Sequence, residues 1–210
     1  MNEKELAKIV QEVLDQYIPD PKIPLHFHDP FTLLVAVILS AQCTDVCVNR
    51  VSSNLFRCAP TPEAMCACSL DQIADFIRPC GLAKRKSKAL LELAHILVEK
   101  HRGKVPKSFE ELEALPGVGH KTASVVLGEA FDMPAFPVDT HIYRVALRWG
   151  LSRGKNVEEV ERDLKRIFPE KSWHRLHLQM ILFARNYCKA RGHDVRLCPM
   201  CVKCMPMPGR

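Results

Sequence analysis

The 210-residue chain lacks any apolar run of bilayer length. The longest, Phe31 to Leu39, falls far short of the ~20 residues a membrane-crossing helix needs. The opening residues Met1-Asn2-Glu3-Lys4-Glu5 lack the apolar stretch of a secretory signal. Together these absences exclude a helical membrane protein and lead to the expectation of a soluble cytoplasmic one. In that setting the ten cysteines do not form a disulfide framework. Low-complexity linkers and internal repeats are missing, and no segment alternates apolar and polar residues convincingly enough for a strand.

Acidic residues are scarce in two places. Leu82 to Lys104 holds Lys84, Arg85, Lys86, Lys88, Lys100, Arg102 and Lys104 against Glu92 and Glu99. Arg185 to Arg210 holds six basic residues against Asp194 alone, and the whole chain carries a formal charge of +6. A charge run by itself describes a solvated face. Two such clusters on a near-neutral body also fit a polyanionic partner.

What is present is helical periodicity and ample core material, 47% of residues being hydrophobic. Leu6, Ile9, Val10, Val13, Leu14 and Tyr17 form an amphipathic stripe over 3–17. Further helices are expected at 31–41, 71–77, 86–100, 108–115, 121–131, 140–149, 157–168 and 173–187. Ser108 and Glu111 have the spacing of a capping box, and Pro116 stops the short helix they open.

Leu115-Pro116-Gly117-Val118-Gly119-His120-Lys121 then joins two helices. The glycines permit a tight turn and the close approach of a foreign backbone. Amides at the start of the second helix, aided by its dipole, suit a phosphate without any base being read. This is a helix-hairpin-helix pattern for sequence-independent DNA binding. Lys121 falls in the first turn of that second helix, where the dipole disfavours a positive charge. A neutral amine there is a nucleophile capable of Schiff-base chemistry. Alone, it reads equally well as a phosphate contact. Asp139, eighteen residues on, reads alone as a helix N-cap.

The segments LPGVGHKTASVVL from Leu115, VDTHIYRVALR from Val138 and LLVAVILSAQCTDVCVNR from Leu33 resemble the endonuclease III family over nearly the whole chain. The resemblance implies an all-α, two-lobed helix-hairpin-helix DNA glycosylase fold. Residues 22–133 would form a six-helix barrel. Residues 1–21 and 134–210 would form a helical domain with an iron–sulfur loop at 188–204. It implies a monomeric base-excision-repair enzyme that removes damaged pyrimidines from duplex DNA and cuts 3′ to the abasic site.

By the same resemblance, Lys121 is the nucleophile and Asp139 its catalytic carboxylate. Gln42 fills the gap left by an extruded base and Leu82, after Gly81, is an apolar wedge. Both tasks fit the cost of flipping a nucleotide out of the stack. Gly117, Val118, Gly119, His120, Arg191 and Arg196 would contact DNA. His120 stands where the family commonly has arginine, which weakens one phosphate contact, and Ala83-Lys84-Arg85-Lys86 reads as a loop two residues longer than usual. Ala36 occupies the place of a glutamate used by the adenine-specific mismatch branch, so that branch is disfavoured. The rival from another class is a non-catalytic DNA-binding module, which needs neither Lys121 nor Asp139.

Cys188, Cys198, Cys201 and Cys204 resemble a [4Fe–4S] ligand set, with zinc as the alternative. Their C-x9-C-x2-C-x2-C spacing departs from the family's C-x6-C-x2-C-x5-C. The other six cysteines, at 43, 47, 58, 66, 68 and 80, read as small buried hydrophobes. No ligand set closes from those six.

Overall fold

The structure is a computed structural model that describes residues 2–204, so Arg210 of the basic tail lies outside the described residues. Described residues form helices and no strand. They divide into two compact units, 2–23 with 134–204 and 24–133.

Helix α1 (Glu3–Tyr17) belongs to the first unit. The second unit runs through α2 (Pro30–Ser40), α3 (Asp45–Cys58), α4 (Pro62–Cys66), α5 (Leu70–Ile77), a 3-10 turn at Arg78–Cys80, α6 (Ala83–His101), α7 (Phe109–Glu113) and α8 (His120–Phe131). The first unit resumes with α9 (Thr140–Trp149), α10 (Val157–Ile167), a 3-10 turn at Glu170–Ser172, α11 (Trp173–Asn186) and α12 (Pro199–Cys204).

Helix α2 anchors the unit 24–133. All residues from Phe31 to Leu39 are buried, and α3, α6 and α8 pack around them. Each buried Leu, Val or Ile contributes roughly 1.5–3 kcal/mol of apolar burial. Asp29 starts the helix by accepting from the Thr32 amide at 2.8 Å, with Pro30 in the first turn. Ala36 is fully buried here.

In the other unit α1 packs on α11 and α12, and α9 packs on α11. Phe183 meets Trp149 edge-on at 5.6 Å. The buried Gln179 donates to Asp15 Oδ1 and to the Ile18 carbonyl, both at 2.9 Å, tying α11 to the end of α1.

Several expectations need correction. Residues 83–86 are not a loop but the first turn of α6, built from good helix formers. Lys86 reaches back from it, 5% exposed, to the carbonyls of Leu39, Ala41 and Cys80 at 2.9, 2.8 and 3.1 Å. The capping box at Ser108 is half built. Ser108 Oγ accepts from the Glu111 amide at 3.3 Å, but the Glu111 carboxylate binds the Ser108 hydroxyl instead of its backbone. Helices α3, α4 and α12 were not anticipated. Helices α4 and α12 are too short to show a period, whereas α3 buries Val48, Val51, Leu55 and Phe56 at helical spacing, a stripe the sequence already carries; local caps at Thr44 and Thr61 open α3 and α4.

Candidate functional site

In the unit 24–133, the hairpin between α7 and α8 is built by its glycine and its apolar residues. Gly117 has φ +79°, and a Cβ there would come within 3.2 Å of Ala89 Cβ, so both backbone and space call for glycine. Gly119 differs: its φ of −107° suits any residue, and a Cβ would meet nothing within 4 Å. Its lack of a side chain therefore keeps the outer face open. Val118 is buried and donates its N–H to the Leu115 carbonyl at 3.1 Å, so its role is to hold the turn.

No side chain caps the start of α8, whose first-turn amides by helix geometry have no intrahelical acceptor. His120 stacks on Phe109 at 5.1 Å and meets Glu113 Oε1 through Nδ1 at 2.7 Å. Lys121, the second residue of α8, is solvent-exposed.

Gln42 and Leu82 share an open concavity of about 200 Å³ with Ile38, Arg85 and Gly117. Both have left-handed backbones, at φ 56° and 52°. Among the described residues two other non-glycine positions do so, Arg102 and Asp132, and each of those ends a helix. Gln42 follows the C-cap of α2, whereas Leu82 holds its left-handed conformation at the start of α6, and both are exposed. Leu82 is 51% exposed despite being apolar.

In the unit 2–23 with 134–204, Asp139 caps α9, its Oδ1 accepting from the Ile142 amide at 2.8 Å. Half-buried Asp139 thus holds the start of a helix, as the isolated residue suggests. Arg191 and Arg196 are exposed. Arg196 is held by Asp194, Nη2 lying 2.9 Å from Oδ2 and Nε 3.1 Å from Oδ1.

The same unit gathers ligating atoms of Cys188, His193, Cys198 and Cys201 within 4.8 Å of one another. Cys204 is buried in α12 but does not join that quartet. His193 takes the place, Nε2 lying 3.3 Å from Cys201 Sγ and 3.8 Å from Cys188 Sγ. The histidine was missed because attention to cysteine spacing passes over a single His in the intervening loop.

Arg148 from α9 donates to Cys188 Sγ at 3.3 Å. The hydrogen-bonded Cys198 thiol, then Arg148, Trp149 and His193, bring Cys188 down to about 5 against its burial. Its bond to Cys188, then burial, push Cys198 up, while burial raises Cys201 and Cys204 to about 11.

The six remaining cysteines do not match the expectation of burial. Only Cys80 is buried, and Cys58 is exposed. Nor does their lack of a ligand set hold. Cys80 joins Cys43 and Cys47 in a second group whose sulfurs lie within 4.8 Å of one another. Packing between α3 and the 3-10 turn at Arg78–Cys80 creates it, which sequence spacing does not reveal.

Residues 35–170 match the model of the HhH-GPD superfamily base excision DNA repair proteins. The chain is 40% identical to endonuclease III of Escherichia coli over 205 residues, covering 98% of this chain and 94% of that one. Against endonuclease III of Bacillus subtilis it is 40% identical over 205 residues, covering 97% and 93%. A solved trapped endonuclease III–DNA covalent intermediate superposes with a TM-score of 0.90 at 40% identity, covering 95% of this chain and 94% of that one. A non-covalent endonuclease III–DNA complex gives a TM-score of 0.92 at 39% identity, covering 98% and 96%. With its hairpin, its two helical units and this similarity along nearly its whole length, the chain belongs to the endonuclease III family of HhH-GPD base excision DNA repair proteins.

Proposed function

We propose that the protein is a bifunctional DNA glycosylase and abasic-site lyase. It removes oxidised or otherwise damaged pyrimidines from duplex DNA and then cuts 3′ to the abasic sugar. The observation that carries this is an exposed lysine in the first turn of an uncapped helix, directly after Gly117-Val118-Gly119. A DNA backbone held at that turn brings the sugar of an extruded nucleotide to a nucleophile.

In this reading residues 22–133 act as the barrel domain that binds and flips the nucleotide. Residues 1–21 with 134–210 carry Asp139 and the metal centre. The protein works as a monomer in the cytoplasm, associated with the nucleoid through DNA. No helix among the described residues is long and apolar enough to cross a membrane.

The Lys121 amine attacks C1′ and the damaged base departs with the bonding electron pair, taking up a proton. Loss of a proton from Lys121 nitrogen and opening of the sugar give the Schiff base. This acidifies the C2′ hydrogen, and β-elimination expels the 3′ phosphate. Asp139 stabilises the developing positive sugar and assists proton transfer. Leu82 wedges the stack and Gln42 pairs with the vacated partner, offsetting part of a flipping cost of a few kcal/mol. Gly117, Gly119 and His120 receive the backbone, with Val118 supporting the turn. Arg191 and Arg196 add phosphate contacts.

The donor chemistry in 188–204 fits a [4Fe–4S] cluster held by Cys188, Cys198, Cys201 and Cys204, all of them buried. When bound, the cluster serves to pin the basic loop for DNA contact. The compact Cys188, His193, Cys198 and Cys201 quartet favours a second reading, a single zinc ion. Iron, sulfide and zinc assays with a visible spectrum separate the two.

The test of the activity is chemical. Incubation with abasic duplex DNA and borohydride should reduce an iminium to a stable amine and leave the Lys121 peptide attached to DNA. No adduct and no strand cleavage would mean that the hairpin only binds.

A further inference from the structure

The group Cys43, Cys47 and Cys80 is not used by the chemistry above. Cys43 lies between α2 and α3, Cys47 in the first turn of α3, and Cys80 at the end of the 3-10 turn that precedes Gly81 and Leu82. Their sulfurs lie within 4.8 Å of one another, and Cys47 Sγ also donates to the Pro79 carbonyl at 3.4 Å. Cys80 is buried, while Cys43 and Cys47 are partly exposed, so an ion has a route in.

We propose that Cys43, Cys47 and Cys80 form a three-sulfur site for a soft closed-shell cation, zinc(II) or copper(I), which pins the turn carrying Gln42 to the turn carrying Leu82. Only sulfur donors make up the group, with no imidazole or carboxylate in it, and that composition selects thiophilic metals over magnesium or calcium. Three protein ligands also leave a fourth position for water on zinc. Copper(I) needs no fourth ligand.

Binding forms three metal–sulfur bonds and releases the three thiol protons to solvent, with no change of oxidation state. The product carries excess negative charge. The buried Lys86 ammonium partly offsets it, fixed nearby by the carbonyls of Leu39, Ala41 and Cys80. The same lysine already straps the end of α2 to the 3-10 turn. The ion would add a second strap between the segments that bear Gln42 and Leu82, 40 positions apart.

The test uses the full chain as isolated, with its C-terminal centre intact. Zinc(II) and copper(I) are titrated separately against chromophoric chelators. Cadmium(II) serves as a spectroscopic probe through its ultraviolet sulfur-to-metal charge-transfer band. Wild-type protein should bind one more tightly held cation per chain than Cys47→Ser, and should gain the charge-transfer band that the variant lacks. Added metal should raise the melting midpoint of wild type alone, while the metal content of the 188–204 centre stays equal in both. Cys43→Ser, altered at a partly exposed position, gives the same comparison should Cys47→Ser fold poorly. Equal stoichiometry in wild type and both variants for every ion would overturn the proposal. So would a disulfide among the three cysteines found by mass spectrometry without reductant.

Discussion

Helices α8 and α9 begin in opposite ways. At α9 the chain supplies its own anion: Asp139 lies at the N-cap and its carboxylate accepts from the Ile142 amide. At α8 the N-cap is Gly119, no side chain caps the helix, and open space surrounds the position where a Cβ would stand. Both helices present the same dipole and the same first-turn amides. One start is closed by a side chain and the other is left open. A carboxylate that already serves a cap is rigidly placed, which is what a catalytic acid–base group needs. A start with glycine at the N-cap forgoes roughly a few tenths of a kcal/mol of capping and leaves its first amides open.

The largest effect should come from the open start. Lys121→Gln should keep the helix and DNA binding yet abolish the borohydride adduct and strand cleavage. Wild-type cleavage of abasic DNA by this variant would remove the nucleophile from α8.

At the closed start, two substitutions separate capping from chemistry. Asn caps a helix about as well as Asp. Asp139→Asn should therefore melt near wild type but turn over about a hundredfold more slowly. Asp139→Ala should lose turnover similarly and also about 1 kcal/mol of stability, read from denaturant midpoints. Equal melting and equal activity in both variants would make Asp139 dispensable.

Converting one start into the other is the sharpest comparison. Gly119→Asp should supply α8 with the missing side-chain cap and raise stability by roughly a few tenths of a kcal/mol, because glycine is itself a tolerated N-cap. The new carboxylate would occupy and repel the phosphate, so affinity for undamaged duplex should fall by roughly tenfold or more at low salt. Unchanged affinity would place the backbone elsewhere.

Gly117 is tested through stability, the most local of these comparisons. Gly117→Ala should cost about 1–2 kcal/mol in thermal or denaturant unfolding, because φ +79° strains any side chain and Ala89 lies in its path. Gly119→Ala should cost far less, since its backbone and surroundings accept a methyl group.

Much of this contrast is local and could be read from the order of residues. Leu115-Pro116-Gly117 stops one helix, Gly119 and Lys121 open the next, and Asp139 stands three residues before the amide it caps. Apolar periodicity likewise marks α1, α9 and α11. It failed where the segment is too short for a period, in α4, and where lysines and arginines resemble a loop, at 83–86, while the stripe Val48, Val51, Leu55 and Phe56 of α3 was legible and missed. There helix-forming residues are joined by the burial of Lys86 against the distant carbonyls of Leu39 and Ala41 and the nearby one of Cys80.

What the sequence determined by itself was therefore the set of elements whose causes lie within four residues: caps, turns and amphipathic faces. Only the tertiary structure decided which side chains meet. It brought His193 to the sulfurs of Cys188 and Cys201, set Gln42 and Leu82 around one concavity, and closed Cys43, Cys47 and Cys80 into a group. Spacing along the chain carries no record of such meetings, because they arise from close-packed helices whose mutual fit depends on every buried residue between them.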